Sequence, residues 1–424
     1  MRGLEAEVER LKVRVERLEK RGRVLDEALT LAVLAQVGIE ASVKPGLVES
    51  YSDFRKLVTE RKQTYISIAE SDPDALEGEN MGKTSIEWTE YSWNPVTGCT
   101  PISPGCQNCY AKRIAHRLSQ NPTVPHRERY EGFRVSCWPE RLEEPLHWRK
   151  PRMVFVSSMG DLFHENVSFE VIDQVFAVAA LCPQHTFLML TKRPEQMAAY
   201  LSAGHELLWR RWSKAAVEMD IDAALWIPTF RGVDPPQWPL PNVWLGVTIE
   251  NQDTADERVP ILLQTRAAKR FVSVEPMLGP IVCGDVKGNV YRPWLTTAFM
   301  AHPTRLDWVI CGGESGPGAR PMHPDWVRNL RDQCVAAGVP FMFKQWGEWG
   351  VVDSLFGNVS AMHAGQLIGR IHDDELAYYA YPSTSEAIGL IEVIRKVGRK
   401  RAGRLLDGEL WDQRLEVIPC EHAD

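Results

Sequence analysis

No long apolar run occurs in the 424 residues. The most apolar stretch, Ala28 to Ile39, is interrupted by Thr30 and Gln36. It falls well short of the roughly 18 residues that a spanning helix needs, so no membrane partner is expected. An apolar export segment is lacking as well. Glu5, Glu7 and Glu9 stand where its hydrophobic centre would lie, and a cytoplasmic location is the expectation. Nor is there an excess of positive charge. The formal net charge is -7, so a nucleic-acid partner would have to be met by a local basic surface. The nine cysteines are an odd number and cannot all pair. Without an export signal they read as reduced thiols, among which a close cluster becomes a candidate metal site. The composition, 44% apolar and 25% charged, excludes a wholly disordered, collagen-like or disulfide-stapled chain. At roughly 150 residues per domain the length suggests two to three domains, unless one α/β barrel absorbs most of it.

Leu4, Val8, Leu11, Val15 and Leu18 alternate steps of four and three, and Leu25 and Leu29 resume the phase after Gly22. That spacing predicts a helical extension over residues 1–43, either a coiled coil that supports a dimer or a lone amphipathic helix. Residues 44–80, with Pro45, Gly46, Pro73, Gly78 and an acidic run, read as a linker, and a mis-assigned start codon is the alternative origin of residues 1–80. From Met81 the texture changes, and residues 81–424 are expected to form the main domain, ending in a basic segment. Short runs rich in β-branched or aromatic residues recur near Ser92 to Val96, Met153 to Ser157, Thr186 to Leu190, Val243 to Thr248, Arg270 to Val274, Trp308 to Cys311 and Pro340 to Phe343. Amphipathic stretches such as Phe169 to Leu181 and Asp325 to Ala337 lie between them. Strands alternating with helices imply parallel pairing and right-handed crossovers. The fold class is therefore α/β, a partial or complete β/α barrel, with the doubly wound open sheet as its competitor.

A β/α barrel builds its functional face where strands end and loops begin. Here the apolar runs finish in Ser158 and Asp161, then Lys192 and Arg193, then Glu250, Glu275, Glu314 and Lys344, a ring of alternating charge. Gly312, Gly313, Gly316 and Gly318 around Glu314 would allow a ligand to approach the backbone. Sharper still is the segment holding Cys99, Cys106 and Cys109, separated by six and then two residues in a loop with Pro101, Pro104 and Gly105. Thiolates suit zinc or an iron-sulfur cluster. Structural zinc wants a fourth ligand, for which His116, His126 and Cys137 are within sequence reach, whereas three cysteines on a 4Fe-4S cluster leave one iron open.

The run MGKTSIEWTEYSWNPVTGCTPISPGCQNCYA, followed by PRMVFVSSMGDLFHE, TKRPEQM, VWLGVTIENQ, RFVSVEPMLGPI, DWVICGGESGPGARP and PFMFKQWGEW, closely resembles the phage gene-product thirty-seven/sixty-eight family, a three-cysteine-motif family of unknown function. The arrangement also looks like a divergent radical S-adenosylmethionine enzyme, with three cysteines on the loop after the first strand and a β/α partial barrel behind them. That resemblance implies a 4Fe-4S cluster on Cys99, Cys106 and Cys109 and S-adenosylmethionine bound at its open iron. Cleavage by an external electron donor would give a 5′-deoxyadenosyl radical that takes hydrogen from the substrate. It further implies that Ser158 and Asp161 hold the methionine ammonium, that Lys192 or Arg193 pairs with its carboxylate, and that Glu250 accepts from ribose. Glu275, Glu314 and Lys344 are left for substrate, and a partner protein of the three-Cys-motif type is expected. The sequence departs from the commonest pattern in having six residues in the first gap and Asn108, not an aromatic residue, before Cys109.

Two other readings stand beside this one. Glu250 and Glu275 could be the paired carboxylates of a barrel glycoside hydrolase, or the cysteines could form a zinc clasp in a nucleic-acid-binding module without catalysis. Arg395, Lys396, Arg399, Lys400, Arg401 and Arg404 form the strongest basic cluster. With fifteen tryptophans as potential stacking platforms, a nucleic acid or nucleotide is a candidate substrate, and a solvated basic helix or loop with core tryptophans is the plainer alternative.

Overall fold

Seven of the apolar runs become strands of a single parallel sheet in the computed structural model: β1 Tyr91–Trp93, β2 Met153–Val156, β3 Thr186–Thr191, β4 Val243–Ile249, β5 Lys269–Val274, β6 Trp308–Gly312 and β7 Phe341–Gln345. The structure describes residues 83–219, 238–283, 305–358 and 388–415, with 285–286, 290–291, 294–295, 367–370 and 376–381. The expected helical arm and linker lie outside the described residues. The strands are hydrogen-bonded in the order of the chain, from β1 to β7, and every pairing is parallel. A doubly wound sheet reverses its strand order at a switch point. No reversal occurs here, so the sheet is singly wound. Among the described residues no ladder joins β7 back to β1, and the barrel is partial.

Side chains alternate across a strand, so each run supplies one row to the barrel interior and one to the helices outside. Met153, Phe155, Leu188, Trp244, Phe271, Trp308, Ile310 and Met342 form the inner cluster, with Trp88 against them. Gly246 shares that inward row, and a Cβ there would come within 2.5 Å of the Phe271 ring. The glycine makes room for the aromatic. Both faces of the sheet are buried, which explains why the strands read as continuous apolar runs rather than as alternating ones.

The crossover helices begin with α1 Tyr110–Gln120, α2 Phe169–Leu181, α3 Pro194–Leu201 and α4 His205–Glu218. Further along are α5 Gln252–Gln264 and α6 Pro324–Ala337. Local chemistry sets their ends. The Asn251 side chain accepts from Thr254 N at 3.1 Å to start α5, a cap worth about 1 kcal/mol. Pro324 opens α6, and Gly338, at φ 62°, closes it in the left-handed region. After β7 the chain forms a four-stranded antiparallel sheet, ordered Trp349–Asn358, Ile388–Lys396, Leu376–Tyr381, Leu367–Arg370. None of its strands is among the expected runs, which end at Phe343. Among the described residues no helix is long and apolar enough to cross a membrane.

Candidate functional site

Continuing the two-residue period upward from the inner apolar row predicts what lines the C-terminal mouth. Phe155 leads to Ser157, Leu188 and Leu190 to Lys192, Trp244 to Thr248 and Glu250, Phe271 to Ser273 and Glu275, and Met342 to Lys344. A polar layer therefore sits on the apolar one. The loop carrying the three cysteines leaves β1 and ends at α1, which places Cys99, Cys106 and Cys109 at this same mouth.

Two of the thiols meet cations from the end of β3. Lys192 Nζ lies 3.7 Å from Cys106 Sγ, and Arg193 Nη1 lies 3.3 Å from Cys99 Sγ. Burial pushes the Cys106 thiol up, but the Lys192 ammonium, the backbone of Ile102 and Ser103, and the Ser103 hydroxyl together draw it below its ordinary range. For Cys99 burial prevails. Reinforced by the Asp161 carboxylate and opposed by Arg193, it pushes that thiol up to about 11. Cys109 stands directly before α1 and, like Cys99, packs against the cluster of Tyr130, Phe133 and Trp138. Among the described residues no three His, Cys, Asp or Glu side chains converge to hold a single metal ion.

The strand-end charges are paired across the mouth. Lys192 donates to Glu250 Oε1, which also accepts from Ser103 Oγ at 2.6 Å. Glu250 is fully buried, with Arg258 3.9 Å away, and its Oε2 has no partner among the described residues. The cysteine loop presses close to it. A Cβ on Gly105 would lie 2.5 Å from Glu250 Oε1. Lys344 pairs with Glu275 at 2.8 Å, and Ser273 Oγ donates to Glu275 at 3.1 Å. Glu314 takes both arms of Arg320, at 2.6 and 2.9 Å, and the Asn108 amide at 3.0 Å. Burial opposes ionisation of Glu314, yet Arg320 and Asn108 hold its carboxyl below the usual range. Arg320 also donates to Pro104 O at 3.0 Å, so the loop after β6 grips the cysteine loop.

Two expected ligand-holding residues face the protein. Asp161 accepts from Thr191 Oγ1 at 2.7 Å, Phe163 N at 3.0 Å, Lys192 N at 3.1 Å and Arg193 at 3.3 Å. A carboxylate offers about four acceptor sites, so Asp161 is occupied as a bracket for the end of β3. Ser158 Oγ turns to Asn94 Oδ1 at 3.2 Å, and its carbonyl accepts from Tyr110 OH at 2.6 Å. Its neighbour Ser157 is more exceptional. It adopts φ 57°, and its buried hydroxyl has no partner among the described residues. A non-glycine residue in that region is uncommon. Ser103, Asn108, Ser157 and Arg320 were not anticipated. Ser103 and Asn108 at least lie within the cysteine loop, whereas nothing in the spacing marks Arg320.

A family model described as a protein of unknown function, DUF5131, matches residues 83–414. No curated protein and no solved structure matches the chain.

Proposed function

The chain belongs to the DUF5131 family, whose function is unknown, and we propose that it is an iron-sulfur enzyme of the radical S-adenosylmethionine type. Cys99, Cys106 and Cys109 would hold the cluster at the barrel mouth. The observation that carries this reading is the pair of cations, Lys192 and Arg193, each set against a different thiol of one short loop. Thiolates on a metal cluster bring negative charge into a half-buried site, and donors aimed at the sulfurs compensate it. The donor set fits, since three soft ligands sit on one short loop, Cys106 closing a 3-10 turn and Cys109 standing at the start of α1. A cuboidal cluster also spaces its ligands more widely than a lone zinc ion, whose thiolates stand about 3.8 Å apart for Zn–S bonds of about 2.3 Å.

When bound, the cluster and S-adenosylmethionine would supply one-electron bond cleavage and hydrogen abstraction, with the electron from an external donor. The chain's own residues bind and position. Glu250 fixes Lys192 beneath Cys106, Asp161 fixes Arg193 beside Cys99, and the Glu314–Arg320 pair holds the cysteine loop down. Ser157 leaves a buried hydroxyl for a ligand, and its neighbour Ser158 lies at the same strand end. The Glu275–Lys344 pair, at the ends of β5 and β7, would bind a polar substrate group and move a proton. Glu250, one carboxylate of the hydrolase reading, is fully buried behind Lys192 and Ser103, and no observation favours that reading or the zinc module.

Reconstitution of the full chain without oxygen tests the proposal. Bound iron and sulfide, with reductant-dependent 5′-deoxyadenosine, are expected, and both should vanish when all three cysteines become alanine. A colourless zinc protein, or cleavage that survives the triple substitution, overturns it.

A further inference from the structure

The cations inside the mouth are matched by carboxylates; on its rim Arg399 faces Glu87 at 4.0 Å and Arg404 faces Asp412 at 3.3 Å, but five exposed cations have no such partner among the described residues. Helix α1, YAKRIAHRLSQ, carries Lys112, Arg113 and Arg117 and no acidic residue, and Lys112 and Arg117 are exposed. The segment Arg395 to Arg404 has six cations and no carboxylate, with Arg395, Lys400 and Arg401 exposed. Among the described residues no carboxylate pairs with any of these five exposed side chains.

The two basic segments flank one loop. Arg113 Nη2 donates to Ser315 O at 2.8 Å, Gly316 N donates to Glu348 Oε1 at 2.8 Å, and Val397 N and Gly398 N donate to Glu348 O at 3.0 and 3.1 Å. Ala319, Trp349 and Ile394 pack together beneath. Basic segments thus adjoin the glycine-rich loop after β6 on both sides, α1 through Arg113 and the segment 395–404 through Glu348. Two apolar side chains stand open to solvent at the cysteine loop, Ile102 at 47% and Tyr110 at 44% exposure. Tyr110 is tethered through its hydroxyl, which leaves its ring to contact a ligand.

We infer that this rim is a docking track for a nucleic-acid strand, with phosphates on the two basic segments and a base against Tyr110 and Ile102 at the mouth. Phosphate spacing suits a row of exposed point charges, and a flat apolar platform suits a base. A base held within a duplex could not reach the mouth, so an unpaired or extruded nucleotide is the favoured form. The inference rests on the mouth being the reaction site, and it names the substrate class for the reading above. Binding needs no cluster, so the two can fail separately.

The test is fluorescence anisotropy of the full chain with a single-stranded DNA oligonucleotide, the RNA of the same sequence, and the DNA duplex, over a salt series. Single strands of one or both kinds should bind more tightly than the duplex. Five phosphate contacts give a slope of log affinity against log salt of about -3.5. The R395A/K400A/R401A variant should bind roughly tenfold or more weakly, with a slope shallower by about 2. K112A/R117A should weaken binding likewise, whereas R395K/R401K, which keeps the charge, should bind as the parent does. Failure of all three oligonucleotides at low salt overturns the inference. So does undiminished binding by the variants, or binding to anionic phospholipid vesicles in place of the oligonucleotides.

Discussion

Replacing Lys192 by methionine tests the mouth most directly. Lys192 is the one cation among the described residues that meets Glu250, Ser103 and Cys106 together. Methionine keeps most of the apolar stem and removes the charge. Breaking a buried ion pair costs about 3–5 kcal/mol because the other charge is left without its partner. Here Ser103 still donates to Glu250 at 2.6 Å and Arg258 remains 3.9 Å away, so the lower end applies, about 3 kcal/mol. The Glu250→Gln substitution should remove much of that penalty. In a double-mutant cycle followed by urea unfolding of the metal-free protein under reductant, the K192M/E250Q variant should be more stable than the sum of the singles by about 1–3 kcal/mol. A second readout is chemical. Lys192 is the main charge drawing Cys106 below its ordinary range, so its loss should slow alkylation of Cys106 at neutral pH, as followed by mass spectrometry of the peptide. Additive single substitutions together with unchanged alkylation would refute the view that Glu250 positions Lys192 under the thiol.

Other consequences are quicker to check. Gly246→Ala should cost about 1–3 kcal/mol by thermal unfolding, because its Cβ would enter the Phe271 ring space inside the barrel; an unaffected transition would misplace that row. Gly105→Ala should displace the cysteine loop from Glu250 and lower the iron bound per chain, and full loading would show that the close approach is not required. Glu144 supplies a pH dependence. Burial, opposed by Arg141 and reinforced by Glu140, pushes its carboxyl up to about 7, above its unfolded value. Its contribution is therefore intact below about pH 4.5 and lost as pH rises through 7, by up to about 3 kcal/mol and less with partial solvent access. Glu144→Gln should flatten stability against pH in that window, and an unchanged profile would count against the burial argument.

The parallel sheet was legible because its strands are buried on both faces and so leave unbroken apolar runs. Six of the seven match their expected bounds within two residues at both ends, the first strand stops three residues short of Val96, and Phe169–Leu181 matches to the residue. Much of the polar ring at the mouth was legible because a period of two carries Lys192, Glu250 and Glu275 up from the inward rows of their strands, although β7 shifts register at Lys344. Pairing was not. Lys192 and Glu250 are 58 residues apart, and no local pattern shows that they meet. Orientation beyond the strand was equally hidden, because Asp161 and Ser158 sit in a tight turn where the period of two no longer holds. There Ser157, not Ser158, keeps the inward row and an unpartnered hydroxyl.

Charge placement divides the protein's cations into two kinds with opposite expected effects. Lys192, Arg193, Arg320 and Lys344 are partly or wholly buried, and each is matched to a carboxylate. An unpaired charge in such a place is costly, so removing one partner should destabilise the fold. Lys112, Arg117, Arg395, Lys400 and Arg401 are exposed, cost little to solvate and repel one another weakly. Neutralising these should leave the melting temperature unchanged or slightly higher while weakening any polyanion bound along them. The paired set thus belongs to the architecture of the mouth, whereas the rim set makes no ion pair among the described residues, and the few tenths of a kcal/mol that Arg117, Lys400 and Arg401 gain at helix ends would not account for its clustering. If R395A/K400A/R401A melted as far below the parent protein as K192M, the rim would be part of the scaffold after all, and its charge would need no ligand to explain it.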